Sequence, residues 1–196
     1  MFKIYTPLSS LAQNCLVATN LLILGFWLPT FFSQLPAHAL ELSSRRSFFE
    51  KSPRLIRAAT SFRGPAALAN YSFTIELPED AGAPMSAVTI VQQPNVEQIL
   101  LYPNRSRVFR EESSNSERSI PAQIIDISSE TPEVKVVFEQ PIQPGTTVTV
   151  SLRARNPLYG GIYQFGVTAF PVSENNDGLY LGSGRLQFSQ PGGGIN

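Results

Sequence analysis

The stretch GTTVTVSLRARNPLYGGIYQFGVTAFP, residues 145–171, decides the fold. Val148, Val150 and Leu152 alternate with Thr147, Thr149, Ser151 and Arg153, the period-two pattern of a strand with one buried face. Asn156-Pro157 and Gly160-Gly161 then break the pattern. Tyr163, Phe165, Val167 and Ala169 resume it with larger side chains, until Pro171, which has no amide proton to give to a ladder. Two long strands separated by a Pro/Gly-rich turn predict the spine of an antiparallel β domain.

Shorter segments flank this spine. Pro144-Gly145 suits the centre of a type II turn, where glycine supplies the positive φ. Upstream of it, residues 134–138 and 122–127 read as strands, with Val134, Val136 and Phe138 facing the core. Residues 111–119 (EESSNSERS) hold no apolar side chain and read as an exposed, mobile loop. Residues 107–109 and 96–102 read as two further strands, the latter because Pro94 and Pro103 leave too little room for a helix. Residues 87–91, 71–77 and 55–60 complete the series, and downstream a closing strand is expected around 185–188. The tail 191–196 is expected to fray. About eight short strands without helical periodicity predict an all-β fold, an immunoglobulin-like antiparallel β-sandwich, with a barrel as the alternative.

The N-terminal third has a different character. Residues 1–39 read as a cleaved signal peptide: Lys3, an apolar run over residues 16–32, and Ala37-His38-Ala39 ahead of Leu40. An uncleaved anchor is the competing reading of a run this long. Residues 40–63 form a basic arm with six Lys/Arg against Glu41 and Glu50. It reads either as a leader packing onto the domain or as a contact for anionic lipid or polysaccharide. The sandwich itself is placed at residues 64–190.

Cleavage after Ala39 removes Cys15, Trp27 and His38, each the only residue of its kind. The remaining chain has no thiol for a disulfide, no Cys–His or Ser–His–Asp arrangement, and no Cys/His zinc site. A formal net charge of +0 gives no ground for expecting nucleic acid.

Several constellations carry candidate chemistry. Arg155, Asn156 and Tyr159, with Arg153, concentrate in the 155–161 turn, where they either meet a partner or order the turn itself. Residues 174–178 (ENNDG) offer oxygen ligands to calcium but lack the alternating carboxylates of a calcium loop, and they suit a plain turn. Glu97, Asp126, Glu133 and Glu139 are the carboxylates from which a glycosidase pair would be drawn. A copper carrier needs His or several Met, and only Met85 would survive cleavage.

Certain motifs resemble a known family. Pro53-Arg54-Leu55, Tyr71-x-Phe73-x-Ile75-x-Leu77-Pro78, Arg155-Asn156-Pro157, Gly160-Gly161-x-Tyr163-x-Phe165 and Leu181-Gly182-x-Gly184-Arg185-Leu186 are similar to the secreted cyanobacterial family catalogued as domain of unknown function 2808. The resemblance implies a β fold and an extracytoplasmic address, and it implies no mechanism. The expectation is an exported, non-enzymatic binding or structural module, periplasmic or secreted. It would have no cofactor, no nucleic-acid partner and no membrane span after cleavage, and an envelope protein or polysaccharide as its partner. The alternatives are a carboxylate-dependent periplasmic hydrolase and a small-molecule or metal carrier shaped like the copper-binding sandwiches.

Overall fold

The computed structural model describes residues 48–111, 117–173, 177–190 and 192. The stretch expected to be a signal peptide and most of the tail expected to fray lie outside the described residues. Ten strands follow in order: β1 (Arg54–Thr60), β2 (Leu68–Leu77), β3 (Met85–Gln92), β4 (Leu100–Glu111), β5 (Glu117–Ile120), β6 (Ala122–Asp126), β7 (Glu133–Ile142), β8 (Thr146–Arg155), β9 (Gly161–Pro171) and β10 (Leu179–Phe188). They form two five-stranded sheets, ordered β1-β2-β8-β4-β5 and β10-β9-β3-β7-β6, with every pairing antiparallel. The expected immunoglobulin-like sandwich is the observed architecture.

The two spine strands do not pair with each other. β8 is the centre of the first sheet, between β2 and β4, whereas β9 lies in the second, between β10 and β3. The turn between them therefore crosses the core from one sheet to the other. Alternation along β8 buries Val148, Val150, Leu152 and Ala154, and along β9 it buries Tyr163, Phe165, Val167 and Ala169. The β9 rings meet those of β2 in the opposite sheet and of neighbouring β10. Phe165 packs edge-on against Tyr71 and Phe73, with centroids 5.9 and 5.5 Å away, and Tyr163 against Phe188 at 5.5 Å.

One sandwich edge is closed by the approach of β1 to β10. A Cβ on Gly184 of β10 would lie 2.6 Å from the Ala58 Cβ and 3.1 Å from the Phe73 ring, so only glycine fits there. β1 falls within the stretch assigned to the basic arm, so the sandwich begins before residue 64. Ahead of β1, Phe49 packs on the core and the Glu50 amide bonds to the Ala81 carbonyl at 2.9 Å. Two of the arm's cations are in exposed ion pairs, Lys51–Asp80 and Arg54–Glu76.

Two local expectations are corrected. Residues 96–99 are not strand, because the buried side chain of Gln92 claims their backbone: its amide donates to the Glu97 carbonyl at 2.7 Å and accepts from the Ile99 amide at 2.8 Å. β4 starts only at Leu100 and runs on through residues 107–109, with a register shift between Tyr102 and Arg107. Residues 117–119, read as loop, belong to β5, an edge strand held by its ladder with β4. Residues 112–116 lie outside the described residues.

Candidate functional site

The 155–161 turn sits at one end of the sandwich, beside the β1–β2 and β3–β4 connections and the chain leaving β10. Backbone geometry forces this proximity. A Cβ on Gly160 would come within 2.5 Å of the Gln190 amide nitrogen, so a residue without a side chain is needed for the two segments to pass.

Asn156 faces inward. Its residue is only 2% exposed, its Oδ1 accepts from the Tyr71 hydroxyl at 3.0 Å, and its Nδ2 donates to the Phe62 and Gly64 carbonyls at 3.0 and 2.7 Å. Its backbone amide donates to the Ala67 carbonyl at 2.8 Å. One side chain thus ties the turn to β2 and to the 62–67 connection, where a partner cannot reach it. Burial pushes the Tyr71 hydroxyl pKa far above its ordinary value, with Tyr163 and Glu97 adding smaller upward contributions. The hydroxyl stays neutral and remains the donor.

Tyr159 faces outward, with 64% of its surface exposed. Its backbone is nonetheless fixed on both sides. Glu97 Oε2 accepts the Leu158 and Tyr159 amides at 2.8 and 3.2 Å, and the Tyr159 carbonyl accepts the Tyr163 hydroxyl at 3.0 Å. Burial also raises the Tyr163 hydroxyl pKa. Val96, Tyr159, Gly160 and Gln190 line an open groove of about 780 Å³, and Leu158, Ile162 and Phe62 add exposed apolar surface at the same end. Val96 is the most exposed of these side chains at 79%. Sequence reading missed Val96 and Glu97 as parts of this site, because they come from a connection some sixty residues upstream of the turn.

Arg155 is exposed on the outward face of the first sheet, in a recess shared with Leu68, Tyr102, Asn104 and Arg105. Arg153, two residues back on the same face, is half-buried and donates to Asn70 Oδ1 at 3.1 Å. The three turn residues named from sequence therefore separate: Asn156 into the core, Arg155 onto a sheet face and Tyr159 onto the sandwich end.

The candidate carboxylates do not assemble. Glu97 is occupied by the turn amides. Asp126 pairs with Val134, so it shares that residue's face while Glu133, one position along β7, takes the opposite face; Glu139 lies five residues beyond Val134, about 17 Å at 3.4 Å per residue, beyond the span of a glycosidase pair. Asp126 does share a cleft of about 260 Å³ with Glu130, which the sequence reading did not single out. Both are exposed, and hydrogen bonds from the Ser128 hydroxyl and amide hold the Asp126 pKa below its ordinary value. Neither has the apolar burial that keeps a catalytic acid protonated. Among the described residues no group of three His, Cys, Asp or Glu converges, and Met85 is fully buried in the core. Of the ENNDG segment, residues 174–176 lie outside the described residues, while Asp177 and Gly178 are exposed. No helix among the described residues is long and apolar enough to cross a membrane.

A family model described as Protein of unknown function (DUF2808) matches residues 46–188. No curated protein matches the sequence. Among solved structures, the chain is similar to an uncharacterized protein from Nocardia farcinica with an immunoglobulin-like fold, at 12% identity and TM-score 0.42, covering 68% of this chain and 97% of that one. It is also similar to BcpA, the major pilin subunit of Bacillus cereus, at 10% identity and TM-score 0.44, covering 71% and 41%. The collagen adhesin of S. aureus aligns at 8% identity and TM-score 0.39, covering 68% and 48%. The chain spans less than half the length of the pilin and adhesin chains, and these likenesses concern the fold alone.

Proposed function

Given that this chain belongs to the DUF2808 family, we propose that it is a non-enzymatic binding module exported to the cell envelope, periplasmic or secreted, which engages an envelope protein through the end of its sandwich. One observation carries this reading: Leu158 and Tyr159 are exposed apolar side chains on backbone that Glu97 and Tyr163 hold in place, beside exposed Val96, whose amide donates to Asn95 Oδ1. A pre-ordered apolar tip loses little conformational entropy when it is covered, and tyrosine is over-represented at binding hot spots. The buried Asn156 network supports the tip from beneath.

The test compares the wild-type chain with a Val96→Ser/Tyr159→Ser variant of equal melting temperature. Each is immobilised and exposed to a solubilised envelope fraction, and retained proteins are quantified by mass spectrometry. A protein retained by the wild type and lost from the variant is the expected result; equal retention by both removes this end from consideration. The hydrolase reading has one observation in its favour, the cleft shared by Asp126 and Glu130. Turnover of an envelope glycan that disappears in Asp126→Asn/Glu130→Gln would replace the binding reading with that one.

A further inference from the structure

The outward face of the second sheet is nearly uncharged where β9 meets its two neighbours. Arg185 is the single charged residue in β3, β9 and β10. Alternation fixes which side chains stand on this face. Gln164 points away from buried Tyr163 and Phe165, and the register sets Arg185 beside it, with Ser183 beside Gly166 and Gln187 beside Ile162. Just past β3, the Gln93 backbone amide donates to the Gln164 carbonyl at 2.8 Å, which brings another glutamine to the same place.

Tyr180 lies at the centre of this patch. Its hydroxyl shares a hydrogen bond with the Ser183 hydroxyl at 2.7 Å. A Cβ on Gly166 would stand 3.2 Å from Tyr180 Cε2 and 2.7 Å from Gln93 Nε2, so the ring and the amide rest side by side on bare backbone. The ring is held at its tip, yet 57% of the residue is exposed. The other outward ring of these strands, Phe170, is half-buried: the Lys135 ammonium lies over it at 5.4 Å, and Gly178 passes close beside it. Among the described residues, the side chains of Gln93, Gln164, Arg185 and Gln187 have no hydrogen-bond partner. The patch thus combines an open aromatic ring with free amides, each able to donate and to accept.

We propose that this patch binds a neutral polysaccharide, one sugar stacked on the Tyr180 ring with its hydroxyls bonded to the Gln93 and Gln164 amides and to Arg185. A sugar presents C–H groups on its faces, which suit the negative face of an aromatic ring, and a girdle of hydroxyls that both donate and accept, as amides do. Gln164 and Arg185 stand one outward step along the strands from Gly166 and Ser183, about 6.8 Å, within reach of hydroxyls on the stacked sugar or on the next one. An acidic polymer or a nucleic acid would meet one arginine where it needs a row of cations. A lipid surface is less well served too, since the large exposed apolar side chains of these strands besides Tyr180 are Ile162 and Leu179, at opposite ends of the β9–β10 ladder. The proposal does not rest on the apolar end of the sandwich, because Val96 and Tyr159 lie outside these strands.

The test titrates the full chain by calorimetry with cellohexaose, maltohexaose, mannohexaose and a galactose hexamer, and with polygalacturonate and single-stranded DNA as charged controls. The expected result is binding of at least one neutral hexamer, with an affinity that changes little between low and high salt. Tyr180→Ala should weaken it roughly tenfold or more, whereas Tyr180→Phe, which keeps the ring and loses the Ser183 bond, should stay within about threefold of the wild type. Gln93→Ala/Gln164→Ala should also weaken it roughly tenfold, and it provides the comparison if Tyr180→Ala shifts in melting temperature. A Val96→Ser/Tyr159→Ser chain should bind as the wild type does, which separates this face from the sandwich end. Failure of every neutral hexamer to bind at up to about 1 mM would overturn the proposal, as would unchanged affinity in the folded variants. Tighter binding of polygalacturonate or of single-stranded DNA than of any neutral hexamer would overturn it too.

Discussion

Replacing Asn156 by alanine tests the reasoning most directly, because three buried hydrogen bonds depend on that side chain. Each is worth about 1 kcal/mol net, and the Tyr71 hydroxyl left without a partner adds about 1–3 kcal/mol more. Asn156→Ala should therefore destabilise the sandwich by about 4–6 kcal/mol, a large share of the 5–15 kcal/mol typical of a folded domain. Tyr71→Phe removes one bond and should cost about 1–2 kcal/mol. The two changes should not add. Once Asn156 is gone the Tyr71 hydroxyl is already stranded, so deleting it should recover about 1–3 kcal/mol, which makes the coupling about 2–5 kcal/mol. Urea melts of the four proteins supply the measurement: with slopes of about 2 kcal/mol/M, Asn156→Ala should lower the midpoint by about 2–3 M. A cost under about 1 kcal/mol, or additivity within about 0.3 kcal/mol, would refute the network as the tie between turn and core.

Other outcomes follow from the same structure. Phe165→Ala, which removes a fully buried ring, should cost about 3–5 kcal/mol, whereas Gln164→Ala on the opposite face should cost about 0.5 kcal/mol or less in the same melts. Gly184→Ala should destabilise by about 1–3 kcal/mol through collision with Ala58 and Phe73, readable as a lowered melting temperature. Stability should fall as pH rises: the folded pKa of Tyr71 and Tyr163 lies above the ordinary 10.0, so the unfolded chain releases their protons first. The loss begins near the unfolded value and approaches about 1.4 kcal/mol per pH unit for Tyr71; Tyr71→Phe should make that alkaline slope shallower. Intact mass of the exported protein should place its N-terminus at Leu40 or within a residue or two, and a product retaining Trp27 would contradict the cleavage.

The legible parts of the fold were those in which burial writes a period into the sequence. Tyr163, Phe165 and Val167 alternate with polar neighbours because β9 has one covered face, and the same holds for Tyr71, Phe73 and Ile75 in β2. β5 was illegible because an edge strand needs only a ladder: Glu117–Ile120 has one neighbouring strand and no apolar alternation. The loop at residues 96–99 depended on the Gln92 amide, and nothing in a glutamine's local context says which backbone it will bond. Asn156 was open to two readings, meeting a partner or ordering its turn, and its sequence context did not decide between them. Its partners at Phe62 and Gly64 lie more than ninety residues away in sequence, and an asparagine in an Asn-Pro turn looks the same whether it caps a loop or fills a core.

The insertion of β8 between β2 and β4 also dictates when the molecule can fold. Thr74 and Thr149, side by side in the first sheet, are 75 residues apart, and β9 fills the corresponding gap between β3 and β10. Before β8 and β9 have been synthesised, the first sheet consists of a β1–β2 pair and a separate β4–β5 pair, and two-stranded units are marginal in water. Closure over such long loops is slow, and no earlier segment contains a complete core from which to start. The nascent chain consequently remains an open, threadable polymer until its last third emerges. Were the chain exported unfolded through a narrow channel, as the proposed function implies, the order of the strands would supply that delay.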